Sequence, residues 1–89
     1  MAKDNHNILG VHVTDRLKNV AGVQKLFTDF GDSIKTRLGM HELGIGNPSS
    51  PNGLVILEMV GTDARAKDLA KQLAAIPGIE VQHMVFKHD

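Results

Sequence analysis

The sequence predicts a one-domain α+β fold, and two observations carry that prediction. Its 89 residues suffice for a single modest core, which is expected to be mainly aliphatic because the only aromatics are three phenylalanines. Stretches with strand and helix periodicity follow in the order β-α-β-β-α-β, as two βαβ halves of about forty residues around a glycine- and proline-rich loop. That split pattern is typical of the ferredoxin-like fold.

The first predicted strand runs from His6 to Thr14 and has apolar residues on both faces. Alternation places Leu9, Val11 and Val13 on one face and Ile8, Gly10 and His12 on the other. A strand with two apolar faces is expected in the interior of a sheet. Residues 1–5 before it are expected to be flexible.

An amphipathic helix follows, with Thr14 or Asp15 as its N-cap. Gly22 inside it lowers helix stability by about 1 kcal/mol relative to alanine and suggests close packing or a later helix start. Gly31 is predicted to end the helix as a left-handed C-cap. The apolar stripe keeps spacings of three and four and consists of Leu17, Val20, Val23 or Gln24, Phe27, Phe30 and Ile34.

The second predicted strand, Ser33 to Leu43, alternates strictly. One face is expected to carry Ile34, Thr36, Leu38 and Met40, and the other Lys35, Arg37, Gly39 and His41. Residues 44–53 (GIGNPSSPNG) are rich in turn-forming residues and predict a long, mobile hairpin connection.

The second half begins with the most apolar run, Leu54 to Gly61, whose only charge is Glu58. It predicts an interior strand. Thr62 or Asp63 is expected to cap the next helix, which Pro77-Gly78 ends. The last strand runs from Ile79 to Lys87, and its pattern leaves the inward face undecided.

Right-handed crossovers give a four-stranded antiparallel sheet in the order 4-1-3-2, with both helices on one face. The other face is expected to be open and too apolar for water, so a second subunit should cover it with two-fold symmetry, in a dimer or tetramer. The predicted interface residues are Ile8, Gly10, Leu54, Ile56 and Val60, with Lys35, Arg37 and His41 of the second strand on the same face.

A polar cluster is expected on that open face. Antiparallel pairing brings Arg37 diagonally near Glu58, and His12 comes from the adjoining strand. One interpretation is an interface network in which the arginine neutralises a partly buried glutamate. The other is a ligand pocket at the subunit seam.

The five histidines show no H-x-H or H-x-x-x-H spacing. A metal site built from His12, His41 and His83 would have to assemble from different strands or across an interface. Interface or surface histidines are the alternative interpretation.

Composition disfavours several functional classes. The absence of cysteine excludes thiol catalysis, disulfides and thiolate metal sites, and no cofactor is expected. Ten basic residues balance ten acidic ones, and no basic face or aromatic stacking pair suggests nucleic-acid binding. No apolar run approaches bilayer length and the lysine of MAKDNHN precedes no hydrophobic region, so a cytoplasmic protein is expected. Catalysis is not expected, because only the Glu58 neighbourhood offers acid–base groups.

Short motifs along the chain carry a family resemblance. They are Val13, Asp15, Arg16, Lys18, Val23-Gln24, Leu26, Phe30, Ile34, Arg37-x-Gly39, the apolar third strand and Ile76-x-Gly78-Ile79-x-Val81. In their order and spacing, Ile8 to Lys87 resembles the ACT-like regulatory domains. The chain is more closely similar to the small stand-alone iron-only hydrogenase system regulators, which are related in fold to the C-terminal domain of the nickel-responsive repressor.

The resemblance implies a non-enzymatic regulator or sensor that oligomerises through its sheet. ACT domains typically bind small molecules, often amino acids, at a subunit interface near the turn between strand 1 and helix 1, here Thr14 to Asn19. The repressor's nickel chemistry is not implied, since it uses a cysteine. Its DNA-binding arm has no counterpart, so regulation would require a partner protein or an indirect route. The expected effector-binding residues are Asp15, Arg16, Asn19, His12, Arg37 and Glu58.

These residues suggest how an effector would bind. Arg16 and Arg37 could pair with a carboxylate, Glu58 or Asp15 with an amine, and His12 could supply a hydrogen bond. A competing hypothesis is a protein–protein interaction module whose sheet docks a partner without a ligand. A histidine-based sensor of divalent metals ranks third.

Overall fold

A computed structural model of the chain describes residues 4–13, 16–41 and 53–87. The observed element order confirms the predicted βαββαβ pattern. Thr14, Asp15, residues 1–3 and the loop predicted at 44–53, apart from Gly53, lie outside the described residues. The elements are β1 (His6–Val13), α1 (Arg16–Asp29), a 3-10 turn (Gly31–Ser33), β2 (Ile34–His41), β3 (Gly53–Met59), α2 (Asp63–Ala74) and β4 (Ile79–Phe86).

The four strands form one antiparallel sheet in the order β2-β3-β1-β4. This is the predicted order 4-1-3-2 read from the other edge. The two strands with apolar residues on both faces, β1 and β3, are therefore the central pair, as their composition indicated.

Both helices contribute to one core on a single face of the sheet. Leu9 and Val11 of β1, Leu57 of β3, and Leu69 and Leu73 of α2 are all fully buried. α1 contributes Val23, Phe27 and Phe30 to the same cluster. The inward faces predicted for β1 and β3 are thus confirmed.

The last strand, which the sequence left undecided, turns Ile79 and Val81 toward the helices. Ile79 is buried and Val81 packs against the core. His83 is the register partner of Leu9 and therefore lies on the same, helix-covered side.

The faces predicted for β2 are wrong beyond its first residue. Ile34 pairs with Met59 on the helix side, but the register then shifts, so that Thr36 pairs with Glu58 and Arg37 with Leu57. The irregularity at Lys35 adds one residue, and one extra residue exchanges the faces of everything that follows. Arg37 therefore lies on the helix side, and the strand ends with His41 in register with Gly53.

The N-cap of α2 agrees with the sequence prediction, whereas the C-terminal end of α1 does not. Thr62 caps α2, with its side-chain oxygen accepting a hydrogen bond from the Arg65 amide at 3.2 Å. Gly31, however, is not a left-handed cap, since positive φ angles occur among the described glycines only at Gly61 and Gly78. The 3-10 turn replaces that cap, because the Ser33 amide donates to the Phe30 carbonyl at 2.9 Å.

Of the helices in the described part of the chain, none is long and apolar enough to cross a membrane.

Candidate interaction face and its polar clusters

The side of the sheet opposite the helices, here called the open face, carries several exposed apolar side chains. Three of its large side chains are more than half exposed: Leu38 at 54%, Met84 at 54% and Phe86 at 55%. By register, the open face consists of Thr36 and Leu38 of β2, Leu54, Ile56 and Glu58 of β3, His6, Ile8, Gly10 and His12 of β1, and Glu80, Gln82, Met84 and Phe86 of β4.

The predicted interface residues lie on or beside this face. Ile8, Gly10, Leu54 and Ile56 are partly exposed positions of the two central strands. Val60 follows the end of β3 and is 43% exposed. Monomeric proteins rarely expose several large apolar side chains next to one another. The open face is therefore the candidate docking surface of the molecule.

Gly10 leaves a shallow depression near the middle of the open face. A β-carbon built there would lie 3.9 Å from the Ile56 Cδ1 and 3.9 Å from the Gln82 carbonyl oxygen, which is ordinary contact distance. A small side chain at this position would therefore fit the single subunit.

Glu58 is the acidic centre of a polar cluster on this face, with different partners from those predicted. Its Oε1 accepts a hydrogen bond from the Thr36 hydroxyl at 2.9 Å, and its Oε2 lies 2.8 Å from His6 Nε2. The ionised carboxylate can only accept, so Nε2 carries the hydrogen. The Thr36 hydrogen bond, followed by that of His6, lowers the pKa of Glu58 below its ordinary 4.5.

Arg37 does not belong to this cluster, which corrects its predicted place beside Glu58. Its guanidinium lies 5.2 Å from the centre of the Phe27 ring, and its Nη1 donates to the Gln24 side-chain oxygen at 3.4 Å. Both partners belong to α1. Arg37 therefore packs against α1 on the helix side of the sheet.

His12 stays on the open face as predicted, but at the end away from His6. It is exposed, and its register partners are Leu54 on β3 and Glu80 on β4. The predicted cluster of His12, Arg37 and Glu58 is therefore not formed within one subunit.

The predicted metal site is also not formed within one subunit. His12 lies on the open face, whereas His83 lies on the helix side, so the sheet separates them. Among the described residues, no group of three or more potential ligands comes together.

The helix side holds a second polar cluster that the sequence did not predict. Asn7 is 1% exposed, and its Oδ1 lies 2.6 Å from His83 Nε2. Its Nδ2 donates to Asp63 Oδ1 at 2.9 Å, and Asn5 Nδ2 donates to Asp63 Oδ2 at 2.9 Å. The two amides, that of Asn7 first, lower the pKa of Asp63 below its ordinary 3.8.

One signal in the sequence pointed to this cluster. Asn7 is in phase with Leu9, Val11 and Val13, so it is a polar residue at an inward position of a central strand. A buried amide in that position needs partners from the packed helix or the next strand.

Two of the remaining residues that were predicted to bind an effector lie at the start of α1. Arg16 and Asn19 belong to its first two turns, and Asp15 lies outside the described residues. Of the predicted set, Arg37 lies on the helix-covered side of the sheet, while His12 and Glu58 lie on the other side.

Comparison with solved structures finds the same fold in the structure of uncharacterized protein TM1266 from Thermotoga maritima. The match has a TM-score of 0.80 and spans 92% of this chain and 96% of that chain, at 23% sequence identity. At that identity, the likeness shows the shared fold. No family model and no curated protein matches the chain.

Proposed function

We propose that this protein is a non-enzymatic regulatory protein of the ACT-like type that works as a homodimer, with a second copy covering the open face. The observation that carries the proposal is the exposure of Leu38, Met84 and Phe86 on a sheet face without a described helix over it. Burying such side chains is the main favourable contribution to most protein association.

The size of the open face suits a dimer. Strands lie about 4.8 Å apart and rise about 3.3 Å per residue, so four strands of this length form a face of roughly 19 by 26 Å. Two such faces together cover about 1,000 Å², which is the lower bound for a biological interface.

The charges of the open face favour a second copy as the occupant. One end carries His6 and Glu58, and the other carries the cross-strand pair His12 and Glu80. Each end therefore has one imidazole and one carboxylate. A copy laid on in either direction meets no cluster of like charge, as a two-fold interface requires.

The ACT-like assignment rests on the sequence motifs, and the βαββαβ order agrees with it. Among ACT-like proteins, the iron-only hydrogenase system regulators are the ones that the chain resembles more closely. In this proposal, a small carboxylate effector binds at the start of α1 through Arg16 and Asn19, with Arg37 on the same side of the sheet. Binding there would shift the affinity for a second copy or for a partner protein.

A matched pair of substitutions on β4 tests the dimer. Met84 and Val85 are neighbours on opposite faces of this edge strand, and both are exposed, at 54% and 39%. Met84→Lys places a charge within the proposed interface and should weaken the dimer by at least about tenfold. Val85→Lys introduces the same charge on the helix side and should leave the dimer intact.

Sedimentation velocity over a concentration series measures both variants and the wild type. A wild type that stays monomeric at 100 μM, or equal weakening by both substitutions, would contradict the proposal. Thermal unfolding of each variant checks that the subunit itself remains folded.

The second candidate is an interaction module without a ligand, in which the open face docks a different protein. The exposure of Leu38, Met84 and Phe86 favours this candidate as well. A thermal-shift screen over amino acids, nucleotides and other small carboxylates separates the candidates, because a ligand of the native state raises the melting temperature. A shift that Arg16→Gln abolishes supports the effector site, whereas no shift with any compound favours the interaction module.

A further inference from the structure

The depression at Gly10 has a neighbouring residue of the open face in each of four directions. Ile8 and His12 precede and follow it on β1, about 6.6 Å away along the strand. Its register partners, Ile56 of β3 and Gln82 of β4, lie about 4.8 Å away on either side. The depression is therefore about as wide as one aliphatic side chain, and it lies near the centre of the face that a second copy is proposed to cover.

The space above Gly10 is left unfilled by the subunit itself. A β-carbon there would lie 3.9 Å from the Ile56 Cδ1 and 3.9 Å from the Gln82 carbonyl oxygen, and no other described atom outside the adjacent residues of the chain would lie within 4 Å. The cores of protein interfaces are packed as densely as protein interiors. A second copy that covers this face must therefore place a side chain in the depression.

The size of the open face restricts how two copies can overlap. Sheets that pack face to face either align their strands within about 30° or cross them near a right angle. Two crossed oblong faces leave part of each uncovered, whereas an interface of about 1,000 Å² has no area to spare. The aligned packing is therefore expected, and its two-fold axis runs either along the strands or across them.

In both of these arrangements Gly10 lies opposite an isoleucine. β1 and β3 are the central strands, and Ile8 and Gly10 are the middle positions of β1 on the open face. An axis along the strands places β1 over β3 of the second copy, which puts Gly10 opposite Ile56 of the partner subunit. An axis across the strands places β1 over β1 in the reverse direction, which puts Gly10 opposite Ile8 of the partner subunit.

We propose that the Gly10 depression receives an isoleucine side chain of the second copy, and that this contact fixes the register in which the two faces meet. The inference rests on the proposed dimer and concerns how its two copies fit together. Gly10 is the only glycine among the described positions of the open face, so the contact is formed in one register. Two-fold symmetry gives two such contacts in each dimer.

A matched pair of glycine substitutions tests the depression. Gly10→Val fills it with a residue that strands favour, at a position where the subunit itself has room for a β-carbon. Gly39→Val is the control, because Gly39 pairs with Val55 on the helix side and a β-carbon there would meet no atom within 4 Å.

Sedimentation equilibrium of the full chain measures the dimer dissociation constant of both variants. Gly10→Val should raise it by at least about tenfold, since overpacked contacts are destabilising, and Gly39→Val should change it by less than about threefold. Thermal unfolding at concentrations below the wild-type dissociation constant checks that each subunit still folds.

Mixing two variants tests whether the contact joins different subunits. Ile56→Ala and Ile8→Ala each shorten one of the two candidate side chains, so that the shortened chain can lie over a filled depression. In an equimolar mixture with Gly10→Val, native mass spectrometry should show more heterodimer than random pairing gives for one of the two alanine variants. An excess with Ile56→Ala indicates an axis along the strands, and an excess with Ile8→Ala indicates an axis across them.

The contrary results separate this inference from the dimer itself. A Gly10→Val variant that dimerises as tightly as the wild type, equal weakening by Gly39→Val, or random pairing with both alanine variants overturns the contact and leaves the proposed dimer standing. A wild-type chain that stays monomeric throughout the concentration series overturns the dimer and the contact together.

Discussion

Asn7 is the residue whose role depends most on tertiary structure. Both hydrogens of its amide are donated, one to Asp63 and one to the Asn5 carbonyl, and its oxygen accepts from His83. This arrangement connects the start of β1, the first turn of α2 and the edge strand β4. A fully satisfied buried amide of this kind favours one packing of helix on sheet over its alternatives.

Asp63 gives this cluster a measurable pH dependence. Because its pKa is lowered in the folded protein, the carboxylate contributes stability that is fully present above its ordinary 3.8 and is lost as the pH falls through the folded value. The urea unfolding free energy of the wild type should therefore fall more steeply between pH 5 and pH 3 than that of Asp63→Asn.

The control for this prediction is Asp68→Asn, which removes an exposed carboxylate from the same helix. It should keep the wild-type slope. If Asp63→Asn also kept that slope, the amides of Asn7 and Asn5 would not stabilise the charged form as the structure indicates.

The alternation of β1 places Asn7 in phase with Leu9, Val11 and Val13, but the sequence contains no signal for the partners of Asn7. Asp63 and His83 lie 56 and 76 residues further along the chain. Periodicity reports which face a residue occupies, and it carries no information on which distant side chains meet there. The same limit applies to Glu58, whose position on the open face was predicted while its partner His6 was not.

At the level of elements, β2 shows why a strict alternation can mislead. Its sequence alternates from Ser33 to Leu43, yet the register shift between Ile34 and Thr36 moves Arg37 to the helix side. A bulge is decided by pairing with the neighbouring strand, and a single strand has no signal for it here. Leu38 reaches the open face for the same reason, which enlarges its apolar area.

Two glycines allow a test of how α1 and the link before α2 are built. A β-carbon at Gly22 would lie 3.4 Å from the flexible end of Ile76, and Gly22→Ala should stabilise the protein by about 0.5–1 kcal/mol through helix propensity. A β-carbon at Gly61 would meet no atom within 4 Å, but its φ of +97° strains any other residue. Gly61→Ala should therefore destabilise by about 1 kcal/mol or more.

Urea unfolding of the two variants makes the comparison, since both add one methyl group. Opposite signs would support a tolerant helix packing at Gly22 and a conformational requirement at Gly61. A destabilising Gly22→Ala would instead show that α1 packs on Ile76 too closely for a methyl group.

For the whole molecule, the arrangement of elements was predictable because many residues report on it together. Each strand and helix has several periodic positions, and one polar exception such as Asn7 does not hide the pattern. The strand order then follows from the handedness of the two crossovers. The open face follows as well, since two helices placed on one side leave the other side uncovered.

The central claim is that a second copy covers the open face. The solvent accessibility of Met84 tests this claim in the wild-type chain. Methionine is readily oxidised by hydroxyl radicals when solvent reaches it. Met84 is 54% exposed in the single subunit, whereas Met59 in the core is 3% exposed and provides the internal reference.

Hydroxyl-radical footprinting with mass spectrometry, at protein concentrations from nanomolar to 100 μM and at pH 6.0, is therefore the most direct test. We expect Met84 to be oxidised rapidly in dilute protein and to become protected as the concentration rises, while Met59 stays slow throughout. Oxidation of Met84 at one constant, rapid rate over the whole range would contradict the claim.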